Sequence, residues 1–361
     1  MRGACVLLSA FLSCLSVTGV TQQPAPRLTA RPQESAVVAN GNPQLISLDV
    51  VVTNKSGKPI AGLEQKDFSI LDDKRPQPIL SFQSVEESSN PPNPPLQVIL
   101  LVDAVNASYQ QVAFERLELA KLLARDNGHL SLPTSLAFLT DTTTRIQPHA
   151  TQDGNALVEE LNSNQSPLRA ITRSQGFYGA GDRIQVSIDA LQNFVAYEEK
   201  QPGRKLLIWI SPGWPLLSGA GVQLTQKNRE SIFSTIVTLS TDLRGARITL
   251  YSVDPLGMSD AGSSSTFFYE AFLKGVSSLE QVYNGDLALQ VLASQSGGRV
   301  LNSSNDVASL IASCLSDAKA FYTISFESPK ADHPDEYHSV QVKVDKPGLT
   351  ARTRTGYYAQ P

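Results

Sequence analysis

The chain has 361 residues, of which 34 are acidic and 30 are basic, and its formal net charge is −4 with 41% hydrophobic and 18% charged residues. The apolar fraction excludes an intrinsically disordered chain, and the lack of a basic excess excludes a protein that binds nucleic acid mainly through charge. At roughly 150 residues per domain, the length predicts two compact units with tails rather than one small module.

The first twenty residues predict a secretory signal. Arg2 precedes the apolar run ACVLLSAFLSCLSV, and small residues follow around Gly19, which is the order found in signal peptides. The run is shorter than the roughly 18 to 20 apolar residues that cross a membrane. Cys14 lies in a poor lipoprotein context, since Phe11 stands where that motif prefers Leu. We therefore predict a signal peptide over 1–20, a secreted, periplasmic or cell-envelope location, no transmembrane helix in the mature chain and no lipid on Cys14.

Residues 21–44 are rich in proline and have no hydrophobic period, which predicts a linker. Residues 45–90 hold three short β-rich runs separated by turn residues, and residues 320–358 alternate apolar and polar positions. In the second segment, for example, Val340, Val342 and Val344 share one face of a strand. Three strands rarely make a stable sandwich alone. We therefore predict that 45–90 and 320–358 pair as the two parts of one discontinuous β-sandwich.

Residues 97–319 alternate apolar runs with amphipathic segments. The runs QVILLVD, SLAFLT, KLLIWIS, ITLYSVD and RVL predict strands buried on both faces, as in a parallel sheet. The segments between them predict crossover helices. The fold class is therefore α/β, with a doubly wound, mostly parallel, Rossmann-like sheet inserted into the sandwich.

Several helix features are specific enough to check. One helix is predicted to bury the stripe Ala113, Leu117, Ala120 and Ala124, and a later one the stripe Ile232, Ile236, Leu239 and Leu243. Asp182, with Gln185 at the capping-box position, predicts the start of a third helix, and Asn305 the start of the last. Cys314 is predicted to be a buried thiol, which would be protonated and unreactive.

Polar side chains follow several of the predicted strands. Asp103, Asp141, Ser211 and Asp254 all stand at carboxyl ends of strands, and in open parallel sheets ligands bind beyond those ends. Each residue taken singly is better explained by capping a helix or satisfying loop amides. Together they predict that this edge of the sheet is the functional one.

Longer segments resemble a known family. An apolar strand ending in LVDAVNAS, followed by GRKLLIWISPGWP and ITLYSVDPLG, is similar to the von Willebrand factor type A domain. The flanking segments GKPIAGLEQKDFSILDDKRPQPILSF, FYTISFES and LTARTRTGYYA extend the resemblance, over about 45–359, to a divergent family of secreted acidobacterial proteins related to that domain.

The resemblance implies a metal-ion-dependent adhesion site built on a D-x-S-x-S loop, but only Asp103 is retained. Val105 and Ala107 occupy the two serine positions, and one carboxylate is too few for a hard cation. A loop shifted by one residue would offer Asn106 and Ser108 as ligands, and that alternative stays open. We expect a degenerate site with no metal ion and no cofactor.

These observations predict a noncatalytic interaction or adhesion module for a protein or cell-envelope partner. The binding-surface candidates at the sheet edge include Trp214, in the Pro/Gly-rich loop after KLLIWIS, and Phe268, in the connection 255–282. The alternative for both is that the loops fold back and cover the edge. The competing functional class is a secreted hydrolase with an unrecognised site, for example the Ser316/Lys319 pair, whose S-x-x-K spacing occurs in penicillin-binding enzymes.

Overall fold

A computed structural model describes residues 44–86, 95–164, 177–216, 224–255 and 268–361, with only the backbone described at 177 and 178. The predicted signal peptide at 1–20 and nearly all of the predicted linker at 21–44 lie outside these residues. Within them, no helix combines the length and the apolar character needed to cross a membrane.

The described strands fall into an N-terminal group, a central group and a C-terminal group. The N-terminal group is β1 (Leu45–Asn54), β2 (Phe68–Asp72), β3 (Arg75–Gln77) and β4 (Ser81–Glu86). The central group is β5 (Leu96–Asp103), β6 (His129–Leu139), β7 (Thr144–Ile146), β8 (Thr151–Asp153), β9 (Arg204–Ile210), β10 (Ile248–Val253) and β11 (Val300–Leu301). The C-terminal group is β12 (Ala320–Glu327), β13 (Glu336–Val344), β14 (Leu349–Arg352) and β15 (Gly356–Ala359).

The α-helices of the described residues lie between β5 and β12 in sequence. They are α1 (Tyr109–Leu123), α2 (Gly154–Ser163), α3 (Phe177–Glu198), α4 (Gln226–Gly245), α5 (Leu289–Gln295) and α6 (Val307–Ser316). Helices α3, α4 and α5 pack on one face of the central sheet, and α1, α2 and α6 pack on the other. The predicted stripe Ile232, Ile236, Leu239 and Leu243 is buried as expected.

The central strands form one mostly parallel sheet. Its order is β11-β10-β9-β5-β6-β7, with β8 also on β6. Strands β5, β6, β9, β10 and β11 run parallel to one another, whereas β7 and β8 run antiparallel to β6. The structure thus confirms an α/β protein with a mostly parallel sheet accompanied by antiparallel sheets.

The N- and C-terminal strands interleave in two antiparallel sheets. The first sheet has the order β14-β1-β12-β4 and the second β15-β13-β2-β3, so each takes two strands from each end of the chain. Their facing sides bury residues such as Leu48, Ile70, Ile324 and Val342 in a shared core. A sheet pair built this way needs both ends of the chain, because neither end has the strands to cover the core.

Charged side chains join the first antiparallel sheet to the central sheet. Arg247 Nη2 donates to Asp49 Oδ1 at 2.7 Å, and Arg204 Nε lies 3.8 Å from Asp49 Oδ2. Asp317, which precedes β12, accepts from the Tyr251 hydroxyl at 2.8 Å and is also bound by Arg352. These two carboxylates, that of Asp49 half-buried and that of Asp317 buried, therefore tie the central domain to the sandwich.

Three helix predictions were wrong. Helix α3 begins at Phe177, so Asp182 lies inside the helix and does not cap it. On α1 the buried residues are Val112, Glu115, Leu119 and Leu123, whereas Leu117 of the predicted stripe is 55% exposed. The cap of α6 is Asp306, whose side chain accepts from the Ser309 N–H, and not its neighbour Asn305.

Candidate functional site

The carboxyl edge of the parallel sheet has a break in the order of its strands. The chain first places β6 beside β5 and later places β9 on the other side of β5. The loops that follow β5 and β9 therefore lead away from each other, and this is the position at which sheets of this kind bind their ligands. Asp103 is the last residue of β5, and Ser211 follows β9 directly.

Asp103 is fully buried and its carboxylate is surrounded by donors. Its Oδ1 accepts from the backbone N–H groups of Val105 at 2.9 Å and Asn106 at 3.0 Å. Its Oδ2 accepts from Asn106 Nδ2 and from Trp209 Nε1, both at 2.8 Å. These bonds shape the turn after β5 and use the oxygens that a cation would need. The arrangement favours a structural carboxylate, and the expectation of no metal ion stays a prediction.

The two residues that could have replaced the missing serines have other partners. Asn106 Nδ2 also donates to Ser187 Oγ at 2.9 Å, while Asn106 Oδ1 is buried without a hydrogen-bond partner. Ser108 caps α1, because its Oγ accepts from the Gln111 N–H at 3.2 Å and its own N–H donates to Gln111 Oε1. Ser108 therefore initiates a helix, and the shifted-loop site receives no support from its contacts.

Glu115 is the residue at this edge that sequence analysis missed. It lies on the buried face of α1 with 1% exposure, and its Oε2 has no hydrogen-bond partner. Burial, reinforced by the charges of Asp103 and Asp254, raises the pKa of Glu115 to about 9, so the side chain is neutral at pH 7. The sequence feature that could have predicted the burial of Glu115 is its spacing. Glu115 lies three residues after Val112 and four before Leu119, which are both buried.

The loop after β9 folds back over the sheet. Ser211 Oγ accepts from the Gly213 N–H at 2.8 Å, and Gly213 has φ +83°, a conformation that favours glycine. Trp214 is only 4% exposed, packs against Trp209 with ring centroids 5.6 Å apart, and donates from Nε1 to the Leu287 carbonyl at 2.9 Å. Trp214 was predicted as a candidate surface anchor. The structure corrects this, because the residue is part of the core.

The other candidates at the edge differ in their surroundings. Asp254 follows β10, its backbone N–H donates to the Leu301 carbonyl at 2.9 Å, and its charge acts on Glu115. Asp141 is half-buried in the bend after β6, where Thr140 closes the turn by donating to the Thr143 carbonyl. The structure thus relates Asp103 and Asp254 through Glu115, whereas no described contact joins Asp141 to them.

Phe268 is exposed as predicted. It is 71% exposed and stands before a short 3-10 turn, Tyr269–Phe272. Phe272 meets Tyr283 edge-on with centroids 6.3 Å apart, and Tyr283 is 59% exposed. We call Phe268, Phe272 and Tyr283 the aromatic surface. The same segment continues to Leu287, whose carbonyl accepts from Trp214, so it is attached to the loop after β9.

The Ser316/Lys319 pair lies at the other end of the domain. Ser316 is the last residue of α6, and Lys319 directly precedes β12 of the sandwich. The Ser316 hydroxyl donates to the Ser313 carbonyl at 2.7 Å, a bond within its own helix. Cys314 is fully buried, as predicted, and burial raises the pKa of its thiol.

Comparisons with known proteins do not assign a family. No protein-family model matches the chain, and no curated protein matches it. Among solved structures, it is similar to the human COPII-coat protein Sec24c, with 11% identity over 74% of this chain and 44% of that chain and a TM-score of 0.33. It is also similar to the PilB minor pilin from Streptococcus sanguinis, with 10% identity over 68% of this chain and 64% of that chain and a TM-score of 0.31. The chain thus spans less than two thirds of either protein, and likeness at this level carries no argument about function.

Proposed function

We propose that the chain is a noncatalytic binding module that presents the aromatic surface to a protein or cell-envelope partner. The observation that carries this proposal is the exposure of Phe268, at 71%, and Tyr283, at 59%. Exposed aromatic side chains leave apolar area in contact with water, and aromatic anchors contribute much of the binding energy in protein interfaces.

The segment that carries the aromatic surface is attached to the loop after β9 by hydrogen bonds. Leu287 accepts from Trp214, and Gln290 Nε2 donates to the Pro212 carbonyl at 2.9 Å. Loops on a rigid scaffold lose little conformational entropy when they bind, which favours their use as interaction surfaces.

The polar groups nearby support binding more than catalysis. The Asp103 carboxylate accepts four hydrogen bonds from its own turn and from Trp209. Such a carboxylate is poorly placed to act as a base. We propose that the module is a divergent von Willebrand factor type A domain with a degenerate metal site, in which apolar contacts have replaced recognition through a metal ion. Export through the signal peptide at 1–20 belongs to the same proposal.

The experiment compares capture of partners from an extract of the native cell envelope, with the chain without residues 1–20 as bait. The double variant Phe268→Ala/Tyr283→Ala should reduce capture at least about tenfold with an unchanged melting temperature, since truncated interface anchors typically cost 2 kcal/mol or more. Leu117→Ala is the matched control, because Leu117 is also 55% exposed but lies on α1.

Two outcomes would contradict the proposal. Equal capture by the double variant and the wild type would mean that the aromatic surface is not the binding site. Covalent labelling of Ser316 by a fluorophosphonate probe would instead show that the chain is a hydrolase.

A further inference from the structure

Three potential metal ligands meet in the second antiparallel sheet, far from the carboxyl edge of the α/β domain. Asp72 ends β2, Asp73 follows in the turn to β3, and His338 lies on β13, which pairs with β2. One ligand atom of each side chain lies within 4.8 Å of the others. We propose that Asp72, Asp73 and His338 bind a divalent transition-metal ion such as Zn²⁺, which would link the two ends of the chain.

The distances suit a small ion with mixed nitrogen and oxygen ligands. His338 Nδ1 lies 3.0 Å from Asp72 Oδ1 and 3.5 Å from Asp73 Oδ2. Ligands held about 2.0 to 2.1 Å from a tetrahedral Zn²⁺ are roughly 3.3 Å apart. Small side-chain adjustments would therefore place the three atoms around one ion, with water at the remaining position.

Each carboxylate is already oriented from outside the cluster. Asp72 Oδ2 accepts from the Tyr357 hydroxyl at 2.6 Å, and that hydroxyl lies 2.9 Å from Ser328 Oγ. Asp73 Oδ1 accepts from both the backbone N–H and the hydroxyl of Ser339, each at 2.9 Å. One oxygen of each carboxylate is thus held by a donor and the other faces the imidazole. Metal-ligating carboxylates in proteins are commonly held in this way.

The imidazole of His338 is buried, with Nδ1 facing both carboxylates. His338 is 6% exposed, and its Nε2 is buried without a hydrogen-bond partner. In the contact with Asp72 the proton is on Nδ1, since the carboxylate only accepts, and Nε2 faces Glu336 on the opposite side of the ring. An ion on Nδ1 moves the proton of the neutral ring to Nε2. Glu336 Oε1, 4.0 Å from Nε2, is the acceptor that a small movement would bring within reach, as in carboxylate–histidine–zinc sites.

An ion at this cluster has a way in and a structural consequence. The Asp73 side chain is 48% exposed, whereas that of Asp72 is 1% exposed, so the ion would enter from the Asp73 side. Asp72 and His338 are 266 positions apart in sequence. The ion would therefore hold together strands from the two ends of the chain, and it would stabilise the folded state because it binds the unfolded chain less well.

The test is a titration of the tag-free chain with Zn²⁺, read by calorimetry and by the melting temperature, with Co²⁺ absorption spectroscopy to report tetrahedral coordination. We expect one Zn²⁺ per chain and a rise in melting temperature. Asp73→Asn should weaken binding at least about tenfold. This variant should fold, because asparagine keeps an oxygen for Ser339 and tolerates the positive φ of 45° at this position.

Two further variants locate the site. His333→Gln is the control, because His333 is exposed and lies five residues before His338, and it should bind Zn²⁺ like the wild type. His338→Gln should abolish the tetrahedral Co²⁺ spectrum. Melting in EDTA shows whether each variant is folded without metal. The proposal is overturned if the wild type shows no Zn²⁺-dependent rise, or if both Asp73→Asn and His338→Gln bind as the wild type does.

Discussion

The indole N–H of Trp209 donates to Asp103 Oδ2 over 2.8 Å, and both residues are fully buried. Trp209 lies on β9 and Asp103 ends β5. The bond therefore joins the two neighbouring strands whose following loops lead towards opposite edges of the sheet. A carboxylate at such a point is usually available for a ligand. Here the donor comes from the neighbouring strand, and Asp103 serves to fix the loop after β5.

Trp209→Phe should therefore destabilise the protein more than Trp214→Phe. Both substitutions exchange a buried indole for a smaller ring. Trp209 loses a hydrogen bond to a charged group, worth about 1.5 to 3 kcal/mol, while Trp214 loses its bond to the neutral Leu287 carbonyl, worth about 1 kcal/mol. Urea denaturation measures both. Equal losses would show that Asp103 does not depend on the indole.

The periodic parts of the sequence predicted the fold well. The stripe Ile232, Ile236, Leu239 and Leu243 is buried on α4, and the alternation of Val340 and Val342 places both residues in the sandwich core. The pairing of the two ends of the chain followed from strand number, because each end alone lacks the strands for a stable sandwich. These features depend on the spacing of apolar residues along the chain, and that spacing can be read directly from the sequence.

The site was less predictable because it depends on contacts between distant segments. Glu115 is a carboxylic acid on a helix, which normally indicates a solvent-facing position, and it is buried only because α1 packs its Val112 and Leu119 face on the sheet. Trp214 stands in a Pro/Gly-rich loop, and the sequence cannot show whether such a loop projects or folds back. His338 meets Asp72 through strand register, for which no local pattern exists.

Cys314 should be inert in the folded protein. It is fully buried, and burial raises the pKa of the thiol, so little thiolate forms at neutral pH. In the chain without residues 1–20, Cys314 is the sole cysteine of the sequence. Ellman's reagent should detect no thiol in the native protein and one per chain in guanidinium chloride. Rapid reaction of the native protein would mean that α6 opens readily or packs differently.

Asp49→Asn should weaken the junction between the sandwich and the α/β domain. The substitution leaves Arg204, which is 1% exposed, and Arg247 without their shared carboxylate, and breaking a buried ion pair costs about 3 to 5 kcal/mol. Burial alone would raise the pKa of Asp49, but Arg247 and Arg204 lower it below its usual value. The stability from this ionised group is therefore present above about pH 4 and is lost as the pH falls through the lowered pKa.

Thermal unfolding at pH 7 and at pH 3 checks both parts of the Asp49 prediction. The difference between Asp49→Asn and the wild type should be large at pH 7 and smaller at pH 3. Asp345→Asn serves as the control, since Asp345 is exposed at the end of β13, and it should match the wild type at both pH values. A variant of Asp49 that is equally destabilised at both would show that the loss comes from shape and not from charge.

Glu115→Gln should stabilise the protein, and the gain should grow with pH. The pKa of Glu115 is raised to about 9 by burial and by Asp103 and Asp254, whereas in the unfolded chain the carboxyl ionises near pH 4.3. Between these values the folded state holds a proton that the unfolded state has released, so the wild type loses up to about 1.4 kcal/mol of stability per pH unit. Glutamine keeps the shape of the side chain but does not titrate.

Urea denaturation at pH 5, 6, 7 and 8 should therefore show that the stability advantage of Glu115→Gln over the wild type widens with pH. Glu118→Gln, on the same helix and in an ion pair with Lys121, should show no such trend. A constant difference between Glu115→Gln and the wild type across this range would mean that Glu115 is already ionised in the folded protein, and that it finds a counter-charge or water at the carboxyl edge of the sheet.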